Sequence, residues 1–208
     1  MIKRKALLFI FEGYSEFEIS TAISMLRSTH DLHTVGFEKK AYKSEAGLTT
    51  LPDLIIDEVN IGEYDVLIIP GGDLKPIVEN DTNQLMDMTK RFAEAGKITA
   101  AICSGVYVLA KAGILNDIPY TLTLTKEQRE FLGCFQENYF CYLPTVSYQN
   151  IITAQGHAYV LFGIELNKMI RDVSPEALDF YSGKRNKMME ERYDKSNKSV
   201  KRTKADLA

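Results

Sequence analysis

Apolar residues along this chain come in short unbroken runs, separated by stretches of helical spacing. Residues 5–11 (KALLFIF), 64–70 (YDVLIIP) and 97–103 (KITAAIC) are each of strand length and apolar at successive positions. A strand that alternates hides one face, whereas a strand apolar throughout hides two, which predicts a parallel sheet covered on both sides. Between the runs, Phe17, Thr21, Ala22, Met25 and Leu26 share one helical face, as do Leu85, Met88, Phe92 and Ala95 before Gly96 ends the segment. Residues 32–38 and 54–56 add a second and a shorter strand. Strand and helix therefore alternate over the first 110 residues, and the expected fold class is α/β: a doubly wound, mostly parallel sheet with sites at the carboxyl ends of its strands.

Beyond Gly113 the pattern loosens. Residues 120–125 (YTLTLT) alternate and predict an edge strand, and residues 145–154 (TVSYQNIITA) predict two short strands turning at Gln149 and Asn150. Residues 158–171 form an amphipathic helix pattern, and Ser174-Pro175-Glu176 supplies an N-cap with proline at the first helical position of a final helix. After Gly183 the side chains turn charged and polar, which predicts a solvated helical extension fraying into a disordered tail. The expected organisation is one domain over 1–183 and a tail over 184–208, with no internal repeat or linker.

Composition narrows the function classes. A chain of 208 residues and 23.5 kDa fits one continuous core, and its 45% apolar residues exclude general disorder. Three cysteines cannot close a disulfide framework, which suggests reduced thiols and a cytoplasmic setting. The basic and apolar start, MIKRKALLFIF, superficially resembles a secretory signal. Glu12, Glu16 and Glu18 interrupt it, and no cleavage site or membrane-length apolar run follows, so neither export nor membrane spanning is expected. Of the net charge of -3, residues 184–208 hold nine Lys and Arg against four Asp and Glu, which leaves -8 to the body. An acidic body is a poor surface for nucleic acid. Scattered histidines and cysteines offer no metal site, and no Gly-Lys-Ser/Thr follows Gly71-Gly72 to make a phosphate loop. No cofactor is expected.

Candidate chemistry centres on Ala100-Ala101-Ile102-Cys103-Ser104-Gly105, a buried strand running into a helix through small residues. This is the layout of a nucleophile elbow, in which a tight turn lifts a thiol above the sheet. At a helix N-terminus the dipole and free amides would bring the Cys103 pKa below the free value of about 8.5. Cysteine is also among the most buried residue types, and local sequence leaves open that Cys103 simply closes a strand. Pro70-Gly71-Gly72-Asp73 ends another apolar strand, either as an ordinary turn or as a loop whose amides face a neighbouring nucleophile.

Taken together, the GYSEFE segment at 13–18, the IIPGGD loop, the AAICSG elbow and the ITAQG strand end resemble the ThiJ/PfpI (DJ-one) superfamily, a flavodoxin-like branch related to class I glutamine amidotransferases. The resemblance spans roughly residues 3–182. It implies that Cys103 is the reactive cysteine and Glu18 the carboxyl hydrogen-bonded to its sulfur. It also implies that the backbone N–H groups of Gly72 and Ser104 stabilise an oxyanion or an oxidised thiol, and that the protein is a homodimer. Glu18 has a second reading, since Ser15-Glu16-Phe17-Glu18 fits a capping box in which Glu18 turns back to the Ser15 amide. If it points at Cys103 instead, burial would keep it protonated, donating a hydrogen bond to thiolate.

The sequence departs from the family pattern at its histidines. Some members carry His directly after the cysteine, where Ser104 stands here, and others carry one early in the segment occupied here by Pro119-Tyr120-Thr121-Leu122-Thr123. His157 follows the late strand near the amidotransferase triad histidine, but Tyr159 stands where the orienting Glu would be. His157 is thus either a general base or a satisfied helix-start residue. His30 and His33 are expected to be solvated, and Cys134 and Cys141 to pack at the periphery. Three functions follow: a redox-responsive protein of the oxidative or general stress type, a small-molecule hydrolase, amidotransferase-like or glyoxalase/deglycase-like enzyme using Cys103, or a dimeric binding or chaperone-like module with the basic tail as contact element.

Overall fold

The structure is a computed structural model and describes residues 3–205. Packing divides the chain at Arg171/Asp172 into two compact units. Among its described residues the first contains nine strands: β1 (Arg4–Phe9), β2 (His30–Gly36), β3 (Tyr42–Lys43), β4 (Thr49–Thr50), β5 (Leu54–Ile55), β6 (Val66–Ile69), β7 (Ile98–Ile102), β8 (Thr145–Tyr148) and β9 (Ile151–Ala154). Seven form one sheet in the order β5, β2, β1, β6, β7, β9, β8, and β3 pairs antiparallel with β4 outside it. All neighbours in the large sheet are parallel except β8, which lies antiparallel to β9. Register places Ala6 opposite Val66, Val66 opposite Ile98, and Ala100 opposite Ile152.

The uninterrupted apolar runs have their expected consequence. Ala6 to Phe9 and Val66 to Ile69 are buried at every successive position, so both faces of the central strands are covered. The covering helices are α1 (Phe17–Leu26), α2 (Lys75–Val78), α3 (Asn83–Glu94), α4 (Val106–Lys111), α5 (Lys126–Leu132) and α6 (Tyr159–Ile170). α1 packs on α6, and α3 packs on α4 and β7. Phe92 of α3 is wholly buried, a burial worth about 1.5–3 kcal/mol, and Gly96 at φ 69° turns the chain out of the helix. The expected α/β, flavodoxin-like class with a mostly parallel sheet is the observed one.

Several local expectations are corrected. Residues 120–125 do not form a strand. Tyr120, Thr121 and Leu122 are buried in succession rather than alternately, and Thr121 spends its polar groups on Thr153 Oγ1 (3.0 Å) and the Leu143 carbonyl (2.8 Å). The following Thr125 caps α5 by accepting from the Gln128 amide while the Gln128 side chain accepts from the Thr125 amide, and Gly133 in the left-handed region closes that helix. His30 is buried, not solvated; its Nδ1 meets Thr29 Oγ1 at 2.9 Å. His33 bonds the Tyr64 hydroxyl at 2.8 Å.

The second unit holds α7 (Pro175–Tyr181) and α8 (Lys184–Ala205), joined through Gly183 at φ 74°. Ser174 Oγ accepts from the Ala177 amide at 3.3 Å with Pro175 at the first helical position, as the sequence predicts. α7 buries none of its side chains, and the core of the first unit ends with α6 residues such as Leu166 and Ile170. Among the described residues no helix is long and apolar enough to cross a membrane.

Candidate active site

β7 delivers Cys103 to the carboxyl edge of the sheet. Ile102 is still extended, and Cys103 then takes φ 57°, a left-handed conformation that costs a residue with a Cβ of order 1–3 kcal/mol. Tight backbone packing holds it there. A Cβ at Gly105 would lie 2.1 Å from the Pro70 carbonyl oxygen, so the elbow and the end of β6 touch backbone to backbone. Residues 103–105 form one 3₁₀ turn that leads into α4.

Glu18 approaches from α1, and the capping box does not form. The Ser15 amide donates to the Gly71 carbonyl at 2.9 Å, and its hydroxyl donates to the Glu45 carboxylate. Freed from the cap, Glu18 is 2% exposed; its Oε2 accepts from the Gly71 amide at 2.8 Å and its carboxyl shares a hydrogen bond with the Cys103 thiol. Two glycines make this approach sterically feasible. A Cβ at Gly71 would fall 2.6 Å from both Cys103 Cβ and Glu18 Oε2, and one at Gly156 would fall 2.7 Å from Glu18 Oε1 and 3.0 Å from Cys103 Sγ.

Burial pushes the Glu18 carboxyl above its usual range, against the opposing effect of its hydrogen bonds with Cys103 and the Gly71 amide. Burial also pushes the Cys103 thiol up to about 11, followed by the Glu18 charge and the Glu18 hydrogen bond, while the Thr123 hydroxyl and the Ser104 amide pull the other way. The expected thiolate below 8.5 is therefore corrected. α4 has only six residues, and its dipole is outweighed by desolvation and a neighbouring carboxylate. Burial and the adjacent carboxyl thus both favour the neutral thiol.

The other expected site residues separate. The Ser104 amide faces the Cys103 sulfur. The Gly72 amide instead donates to Ser104 Oγ at 2.9 Å, and Ser104 Oγ donates to the Gly72 carbonyl at 2.8 Å, so the amide assigned to an oxyanion is already engaged. His157 is exposed in the turn after β9 and does not line the cleft around Cys103. Its part as a general base is not supported by this placement, since the strand end presents Gly156, not the imidazole, to the sulfur. Thr123 was not singled out by the sequence. Its Oγ1 accepts from the Gly156 amide at 2.7 Å and its hydroxyl bonds Cys103. The one signal available was its position in the 119–123 segment, where the resemblance implies a histidine.

Cys103 and Glu18 open into a cleft of about 640 Å³ whose charged lining is Glu12, Glu18, Lys43, Glu45 and Asp73. Cys134 and Cys141 lie elsewhere as free thiols, and burial pushes Cys134 up to about 11. Among the described residues no group of three or more His, Cys, Asp or Glu side chains is arranged to hold a metal. The site brings together a thiol, a buried carboxyl and hydroxyl and amide groups.

Known proteins resemble this chain in sequence and in fold. The model of the DJ-1/PfpI family matches residues 4–169, and the chain belongs to that family. Among curated relatives, "Uncharacterized protease YoaZ" of Bacillus subtilis is 28% identical over 198 residues, covering 86% of this chain and 89% of that protein. "Deglycase TK1284" of Thermococcus kodakarensis is 30% identical over 122 residues, covering 58% of this chain and 73% of that protein. Among solved structures, a thiJ/pfpI family protein from Bacillus anthracis superposes with TM-score 0.77 at 27% identity, covering 87% of this chain and 90% of that one.

Proposed function

We propose that Cys103 is a reactive, oxidisable nucleophile with Glu18 as its base, and that the protein serves in the response to oxidative stress. The observation that carries this is the Glu18 carboxyl, buried at the sulfur and held by the Gly71 amide. A carboxyl with a raised pKa is a better base, and it lies within hydrogen-bond reach of the proton it must take. With a peroxide, sulfur attacks one oxygen as its proton passes to Glu18. The O–O bond breaks, the leaving hydroxide recovers that proton as water, and the cysteine becomes a sulfenic acid. A second peroxide carries the sulfur to sulfinic acid and is itself reduced to water. Intact mass after mild peroxide tests this: wild type gains two oxygen atoms at Cys103, and Cys103→Ala does not. Gain confined to Cys134 or Cys141, or none at all, sinks the reading.

A second reading is favoured by the names of relatives, several of which are called deglycases. In it the sulfur adds to the aldehyde carbon of a small dicarbonyl, the S–H proton passes through Glu18 to the carbonyl oxygen, and a hemithioacetal forms. Consumption of methylglyoxal that disappears in Cys103→Ala supports this reading; equal consumption by both proteins removes it.

A further inference from the structure

Two hydroxyls flank the reactive sulfur and are used in opposite ways. The Ser104 hydroxyl gives its proton to the Gly72 carbonyl at 2.8 Å and takes the Gly72 N–H at 2.9 Å, so it closes on the neighbouring loop and offers nothing to the sulfur. Thr123 Oγ1 takes the Gly156 N–H at 2.7 Å, which fixes the oxygen while leaving its own proton to be donated. Gly156 lies directly against the sulfur, where an added Cβ would sit 3.0 Å from Sγ. The hydroxyl anchored on Gly156 is therefore held beside Cys103, and it bonds that side chain.

We propose that Thr123 is the side-chain donor that stabilises negative charge on the Cys103 sulfur, standing in for the Gly72 amide that Ser104 has engaged. When the S–H proton moves to Glu18, the anion left on sulfur is met by the Thr123 hydroxyl and the Ser104 amide. The titratable groups facing this sulfur or lining its cleft are Glu18 from α1, Lys43 and Glu45 from the β3–β4 segment, Asp73 after β6, and Glu12 after β1. None of these is altered by a change at 123. The inference rests on the reading of Cys103 as a reactive centre.

The test is the rate of Cys103 alkylation by iodoacetamide from about pH 7 to about pH 11 in wild type, Thr123→Val and Thr123→Ser. Thr123 is exposed, so the valine side chain displaces no core packing, and Thr123→Ala is a second hydroxyl-free variant if it is needed. Loss of one hydrogen bond to a charged atom should slow labelling about tenfold across this range. Thr123→Ser, which keeps the hydroxyl, should follow wild type. A valine profile that superimposes on wild type, or a serine profile that follows valine, overturns the role of Thr123 alone. Failure of wild-type Cys103 to label at any pH overturns both this role and the reactive-centre reading.

Discussion

Ser104 Oγ lies 2.9 Å from the Gly72 nitrogen and 2.8 Å from the Gly72 carbonyl oxygen, so one hydroxyl satisfies both polar groups of one residue. Ser104 comes from the elbow and Gly72 from the loop after β6, and each depends on the other for its hydrogen bonds. Gly72 needs the help, because at φ 129° no side chain could hold it, and a Cβ there would fall 2.2 Å from the Gly13 carbonyl oxygen. Ser104→Ala should therefore cost about 1–2 kcal/mol, the loss expected when partly buried donors and acceptors lose their partner. Urea unfolding measures it; an unchanged midpoint would show that the loop holds its own shape.

Gly156→Ala probes the walls of the site. The backbone at 156 has an ordinary φ, so the substitution acts through space alone, by placing a methyl 2.7 Å from Glu18 Oε1 and 3.0 Å from Cys103 Sγ. Neither neighbour is a loose surface chain. The expected cost is about 1–3 kcal/mol of overpacking, together with a fall in peroxide oxidation of Cys103 as Glu18 is displaced from the sulfur. Full oxidation at the wild-type rate would mean that the two groups do not need their present separation.

Arg129 anchors the region after the elbow helix without touching the reaction. It is 3% exposed, forms a bidentate pair with Glu137 at 2.7 and 2.8 Å, donates to the Leu124 carbonyl at 2.7 Å and covers the Phe140 ring at 3.8 Å. The Arg129 hydrogen bond holds the Glu137 carboxyl below its usual value, so its contribution is present above 4.5 and is lost as pH falls through the depressed folded value. Glu137→Gln leaves a buried guanidinium without its counter-ion. About 2 kcal/mol should be lost near neutrality, less than for a fully buried pair because Glu137 is a third exposed, and the loss should shrink in acid. Unfolding at two pH values tests both statements.

The sheet was legible because its central strands are apolar at every position, a composition that only a two-sided burial explains. The strands of 145–154 were legible for another reason: Gln149 and Asn150 mark a turn between two short segments, and Gln149 takes a left-handed φ of 50° there. Glu18 was not decidable, since its hydrogen-bond partner is the amide of Gly71, 53 residues away, and a local capping box has the same spacing. Thr123 was hidden by an alternation that resembles a strand but serves side-chain bonds to a neighbouring segment. The Cys103 pKa was misjudged because a helix start is visible in sequence and desolvation is not.

The Glu18 pKa gives a prediction whose sign runs against intuition. A carboxyl raised above 4.5 by burial binds its proton more tightly in the folded chain than in the unfolded one. Its contribution to stability is therefore fully present below pH 4.5 and is lost as pH rises through the folded value. Glu18→Gln cannot ionise, and its side-chain carbonyl retains an acceptor for the Gly71 amide. The variant's stability should fall less than that of wild type as pH rises from 4.5 towards neutrality, and parallel unfolding curves would count against burial as the dominant influence. Removing the carboxylate also removes the charge that favours the neutral thiol, so the alkylation midpoint of Cys103 should move below about 11. Iodoacetamide labelling, which needs only thiolate, should then speed up in the same variant whose peroxide oxidation slows for want of a base. If both rates fell together, Glu18 would be a protonated donor to sulfur and not an acceptor of its proton.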